Sequence, residues 1–204
     1  MNINKEFILV VLSFVALSSY LSHINGKNFY NKREDEKKIS QKVFDIGHKY
    51  IPDLSNYEFY IGNHKLILHN ILDILIIIPL IYILIYEREL RKYLIVYGLL
   101  IFFIRSIFIL ITILPKHKTC NDENYSFYNL FFGHCYDKIF SGHYSLTLLI
   151  TILLIKKYPS LFYYGIIYNI IISLLILSTR SHYTIDILVA FIITIFIINT
   201  FTLN

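Results

Sequence analysis

Charge is scarce in this sequence. Asp, Glu, Lys and Arg make up 16% of its 204 residues, where a soluble globular domain carries about a quarter. The few charges cluster and leave long stretches of Ile, Leu and Phe between them. That pattern excludes an ordinary water-soluble domain. Lipid is the solvent that suits a chain that is 56% hydrophobic with a mean hydropathy of +0.57. Internal repeats and low-complexity tracts are also missing, so residues 1–204 read as one polytopic membrane domain. Alanine is rare while Ile, Asn, Lys and Tyr abound, a compositional bias that carries no functional meaning. The net charge of +5 is a poor argument for a nucleic-acid partner, because most Lys and Arg lie between the apolar runs. Cysteine is limited to Cys120 and Cys135, both in one polar segment. A disulfide between them requires an oxidising compartment, whereas two free thiols suit a reducing one.

Apolar runs cover about 7–24, 66–86, 93–114, 141–157, 160–179 and 184–201. Each is about 17 to 22 residues, enough to cross roughly 30 Å of hydrocarbon as a helix. The expected fold is therefore an all-α bundle of six transmembrane helices. A cleaved signal peptide is the competing reading of the first run, but Ser22-His23-Ile24-Asn25-Gly26 is a poor cleavage site, which favours a retained helix. Residues 25–65 form a polar loop with Lys32-Arg33-Glu34-Asp35-Glu36-Lys37-Lys38 at its centre. Six spans put the first, third and fifth loops on one side. The short second and fourth loops hold Arg88, Arg91, Lys92, Lys156 and Lys157, which the positive-inside rule makes cytosolic. The first loop objects with eight Lys and Arg, although six acids accompany them. On this topology the third loop is non-cytosolic, and the Cys120–Cys135 disulfide is the expectation.

Two histidines stand where loops on that side meet helices. His143 follows Ser141-Gly142 at the start of the fourth run, where Ser141 can cap the helix. The backbone N–H groups of such a terminus form a ready anion site. His182 precedes Asp186 by four residues at the start of the sixth run. On a helix that spacing puts both side chains on one face, so the carboxylate can fix the tautomer and leave the other ring nitrogen free to attack. A single such histidine is more often an interfacial polar residue. Two on one side, one with a spaced Asp and one after Ser-Gly, favour chemistry.

These residues resemble a known family. Ser141-Gly142-His143 and His182-x-x-x-Asp186 are similar to two elements of the lipid phosphate phosphatase (PAP2) superfamily. The longer strings Cys135-x-Asp137-x-x-Phe140-Ser141-Gly142-His143 and His182-Tyr183-Thr184-Ile185-Asp186-Ile187-Leu188-Val189-Ala190 resemble signatures of its sphingomyelin synthase branch. The likeness is strongest over residues 100–192. Within it, Arg105 to Pro115 and Cys120 look like the family's third span and the cysteine after it. Ile51-Pro52-Asp53 looks like a remnant of a Pro-Asp signature. Tyr136 and Tyr144 stand where the family has Gly and Thr. The phosphatase Arg expected six residues before the second histidine is Ile176 here, with Arg180 nearer.

The resemblance implies a membrane lipid phosphotransferase with no cofactor and no metal. It would move a phosphocholine or phosphoethanolamine headgroup from a glycerophospholipid to a ceramide-like or diacylglycerol-type acceptor. His182 would be the nucleophile oriented by Asp186, and His143 the acid and base. Ser141, Gly142, Arg105, Asp137 and Tyr183 would contact substrate, on the non-cytosolic face. A lipid phosphate phosphatase using water is the alternative, and a non-enzymatic scaffold or lipid-binding protein the second. Two intramembrane charges, Asp73 and Arg105, read either as an ion pair or as cavity groups with Arg105 on phosphate. His69 and Asp73 repeat the four-residue spacing without a Ser-Gly-His partner and read as a decoy or a cavity lining. Tyr183, with Phe140, Tyr136 and Tyr144, offers ring faces for a quaternary ammonium, against simple packing.

Overall fold

The structure, a computed structural model, describes residues 5–31, 44–61, 64–112 and 139–201. Among the described residues, six helices form the bundle. They are α1 (Lys5–Asn31), α3 (Leu68–Tyr86), α4 (Arg88–Ile111), α5 (Gly142–Lys157), α6 (Phe162–Ser178, after a 3-10 turn at Pro159–Leu161) and α7 (Thr184–Thr200). Between α1 and α3 lie a short helix α2 (Ile46–Tyr50) and the strands β1 (Glu58–Ile61) and β2 (His64–Ile67).

The bundle itself is helical, as expected, and that hairpin lies in the first loop. Its strands are antiparallel, with Glu58 opposite Ile67 and Ile61 opposite His64. The sequence between them is Gly62-Asn63, a two-residue hairpin signal that the loop's overall polarity masks. A correction concerns the second loop. It shrinks to Glu87, because Arg88, Arg91 and Lys92 already belong to α4. Long basic side chains are good helix formers and reach water from a helix end.

Three helical stretches, Ile8–Asn28, Arg88–Ile111 and Pro159–Ser178, are long and apolar enough to cross a membrane. They make this an integral membrane protein. Asn70–Tyr86 and Thr184–Thr200 are apolar but shorter. Helix α5 has 16 residues and rises about 24 Å, less than a full hydrocarbon thickness.

Helix α5 is the hub, touching α3, α4, α6 and α7, while α1 packs on α4. Leu148, Leu149, Ile150 and Leu153 are all buried, which needs apolar residues around the whole circumference rather than on one stripe. The hydroxyls of Thr147 and Thr151 donate to the carbonyls of His143 and Thr147, each at 2.8 Å, and so place no unpaired donor in this core. Gly165 allows α6 to lie close, since a Cβ there would fall 2.6 Å from Thr151 Cγ2.

The two ends of the bundle differ. At one end nearly buried Glu87 accepts from Tyr158 at 2.7 Å and Tyr82 at 3.3 Å and pairs with Lys157, joining the α3–α4 and α5–α6 connections. At the other end α2, the start of α5 and the α6–α7 turn come together.

Candidate active site

The start of α5 is built by its own sequence. Ser141, in extended conformation, caps the helix by accepting the Tyr144 N–H at 3.2 Å. Its backbone N–H donates to the Asp186 carbonyl at 3.2 Å, which ties this terminus to the first turn of α7. A Cβ on Gly142 would stand 3.2 Å from Arg105 Nε, so glycine leaves room for the arginine to lie along the helix terminus. Arg105 is buried and donates from Nε to the Phe140 carbonyl at 3.0 Å. Phe140 is itself buried, edge-on to Phe108.

His143 points at α3. Its Nε2 lies 3.0 Å from Asp73 Oδ1, with the two side chains 15% and 12% exposed. Sequence reasoning grouped Asp73 with His69 or with Arg105 and missed this partnership. The sequence carries no signal for it, because 70 positions separate the two residues. A carboxylate at membrane depth is costly without a partner, and the imidazole supplies one.

His182 and Asp186 are adjacent, but not on one face of a helix. His182 precedes the N-cap Tyr183, and α7 starts at Thr184. The buried Asp186 carboxylate folds back to accept the Tyr183 N–H at 2.8 Å and stands 3.6 Å from His182 Nδ1. A carboxylate near a helix N-terminus is favoured by the partial positive charge there. The 3.6 Å separation exceeds a formed hydrogen bond, as is common before substrate draws a site together. The two imidazoles approach edge to face with centroids 6.3 Å apart. Thus His143, His182, Asp186, Ser141, Gly142, Arg105 and Tyr183 share one end of the bundle, whereas Asp137, Cys120 and Cys135 lie outside the described residues.

Arg180 serves the same turn from the other side of His182. Its guanidinium donates to the carbonyls of His48 and Ile51 and sits 3.8 Å from Asp53, so it grips the first loop. Asp45 and His48, with no motif to announce them, contact Thr184 and the His182 carbonyl from the same loop.

The comparison with known families falls on this region: residues 134–203 match the family described as PAP2 superfamily C-terminal. The match supports PAP2 superfamily membership. PAP2 proteins are generally phosphatases or phosphotransferases of lipid phosphates, which supports an enzyme. The matched segment holds both histidines, Asp186 and the Ser141 cap, while Asp73, Arg105 and the first loop lie outside it. No curated protein and no solved structure matches the chain.

Proposed function

We propose that this protein is a membrane lipid phosphotransferase of the sphingomyelin synthase type. It transfers a phosphocholine or phosphoethanolamine headgroup from a glycerophospholipid to a ceramide-like or diacylglycerol-type acceptor. The observation that carries this reading is the pair of facing imidazoles, each beside its own carboxylate. Asp186 at Nδ1 holds the His182 tautomer whose Nε2 is unprotonated, and Nε2 attacks phosphorus. The P–N bond forms as the P–O bond to diacylglycerol breaks, and His143 gives the departing oxygen its proton. In the second step the acceptor hydroxyl attacks phosphorus, its proton passes to His143, and the P–N bond breaks. Two easier steps replace one difficult transfer. Asp73 orients His143 through its Nε2. Arg105, with the N-terminus of α5, faces the phosphate charge. Asp137 and Tyr183 keep their proposed place on the substrate, and the site faces the non-cytosolic side.

A groove of about 420 Å³ between α5, α6 and α7 supports a lipid substrate. It is lined by Tyr144, next in sequence to His143, and by Leu148, Ile166, Ile170, Phe191 and Ile195. Its size is that of a small-ligand site, and its apolar wall suits an acyl chain.

The test is purified protein in lipid nanodiscs with headgroup-labelled phosphatidylcholine or phosphatidylethanolamine, with and without ceramide. Labelled sphingolipid is the expected product. Free phosphocholine or phosphoethanolamine formed equally without ceramide, or phosphate released from phosphatidic acid, points to water as the acceptor. No turnover with any donor leaves only a lipid-binding or scaffold role.

A further inference from the structure

The reaction above makes no use of the first loop, yet its residues 45–54 are bonded to the turn that carries the nucleophile. The start of α7 explains why. Its N-cap Tyr183 and Asp186 form a capping box, in which the Asp186 carboxylate accepts the Tyr183 N–H. Asp45 adds a second cap, at Thr184, from 139 positions away. Its Oδ2 accepts the Thr184 N–H at 2.7 Å and its Oδ1 accepts the Thr184 hydroxyl at 2.8 Å. The same Oδ1 caps α2 through the His48 N–H at 2.8 Å. One carboxylate therefore caps two helices. Burial works to raise the Asp45 pKa, but the hydrogen bonds from His48 and Thr184 outweigh it and hold the group below the usual carboxylate range.

The surroundings are built for this contact. Gly47 N–H donates to Thr184 Oγ1 at 2.9 Å, and a Cβ on Gly47 would fall 2.4 Å from that oxygen. His48 Nε2 lies 2.9 Å from the His182 carbonyl oxygen; a carbonyl only accepts, so this nitrogen carries the proton. The His48 ring also packs on Tyr183 at 5.0 Å. Arg180 sits at φ 57, the left-handed position after α6 where glycine is usual. From there it clamps the loop through the His48 and Ile51 carbonyls.

We propose that Asp45 is a positioning residue for His182: a cap supplied by the first loop that holds the first turn of α7, and with it Asp186, in register with the imidazole. The step from cap to chemistry is short, because Asp186 lies in that first turn and its carboxylate is 3.6 Å from His182 Nδ1. A small rotation of the turn takes it out of reach, and a misplacement of about 1 Å can lower a rate roughly 10²-fold. This inference rests on the phosphohistidine reading for its kinetic consequence, but not for its structural one.

The test uses the full-length protein in nanodiscs, with Asp45→Ala, Asp45→Asn, Thr184→Val and Thr184→Ser. In the transfer assay, Asp45→Ala and Thr184→Val should lower kcat by roughly 10- to 100-fold with the donor KM within about twofold. Thr184→Ser keeps the hydroxyl and the N–H and should restore most of the rate. Independently of turnover, ¹⁵N spectra of histidine-labelled protein report the His182 tautomer, assigned by comparison with His182→Ala. The parent and Thr184→Ser should show the Nδ1-protonated form, and Asp45→Ala a mixture. If Asp45→Ala does not fold, Asp45→Asn, which keeps one acceptor oxygen, carries the same comparison. A lowered melting temperature with kcat and the His182 tautomer unchanged would overturn the proposal. If no variant, parent included, transfers a headgroup, the proposed function fails while the tautomer comparison still decides the role of Asp45.

Discussion

At the scale of single residues, the site consists of two imidazole–carboxylate pairs whose roles separate by experiment. His182→Ala should abolish both the phosphoenzyme and the product, measured by acid-labile label on the protein. Asp186→Asn should preserve folding and slow attack by on the order of 10²–10⁴-fold, because the tautomer and the developing imidazolium lose their partner. Asp73→Asn should act on the other histidine. The rate should fall by up to roughly 10²-fold, and a substrate with a better leaving group should recover part of it, since such a group needs less help from an acid. Equal loss for good and poor leaving groups would remove Asp73 from that role. Arg105→Ala should weaken donor binding or turnover while the chemistry stays detectable. Arg105→Lys should restore only part of that loss, because a lysine lacks the Nε donor that bonds the Phe140 carbonyl and the planar fork beyond it.

At the scale of elements, α5 supplies both His143 and the packing centre, so core changes on it should reach the proposed site. Gly165 is the sharpest case on its neighbour α6. A Val there puts a Cβ 2.6 Å from Thr151 Cγ2 and 2.7 Å from Ile155 Cδ1. Overpacking of this kind typically destabilises by about 1–3 kcal/mol, visible as a lower melting temperature in detergent. The far end of the bundle gives a pH prediction. The hydrogen bonds from Lys157 and Tyr158 hold the Glu87 carboxyl below its ordinary range. A depressed pKa contributes stability that is present above the unfolded-state value of about 4.3 and lost as pH falls through the lower folded value. Glu87→Gln should therefore melt below the parent at pH 7, and the two should converge as the pH drops below 4. A gap that persists in acid would assign the effect to packing instead.

At the scale of the whole molecule, sidedness links the site to its compartment. Cysteines placed at Ser55, beside the site, and at Glu89, at the opposite end, should react with an impermeant maleimide from opposite faces, Ser55 from the non-cytosolic one. On that face Cys120 and Cys135 should form a disulfide, read as a mobility change on reduction. A site reached only from the cytosol would remove the basis for that bridge.

Much of this organisation was legible in the chain because it is local. Hydropathy accumulates residue by residue, so the apolar helices could be read directly. The Ser141 cap and the four-residue step from His182 to Asp186 each lie within one turn of backbone. Even there the reason differed: the step works because Asp186 folds back on its own N-cap, and not because both residues share a helix face. What no local pattern contained were the partners. Asp73 reaches His143 across 70 positions and Asp45 reaches Thr184 across 139. Neither spacing has any period a sequence could display. Packing of α3 on α5, and of the first loop on the start of α7, gives each histidine turn its carboxylate. A buried charge needs a partner in space, and only the folded chain supplies one.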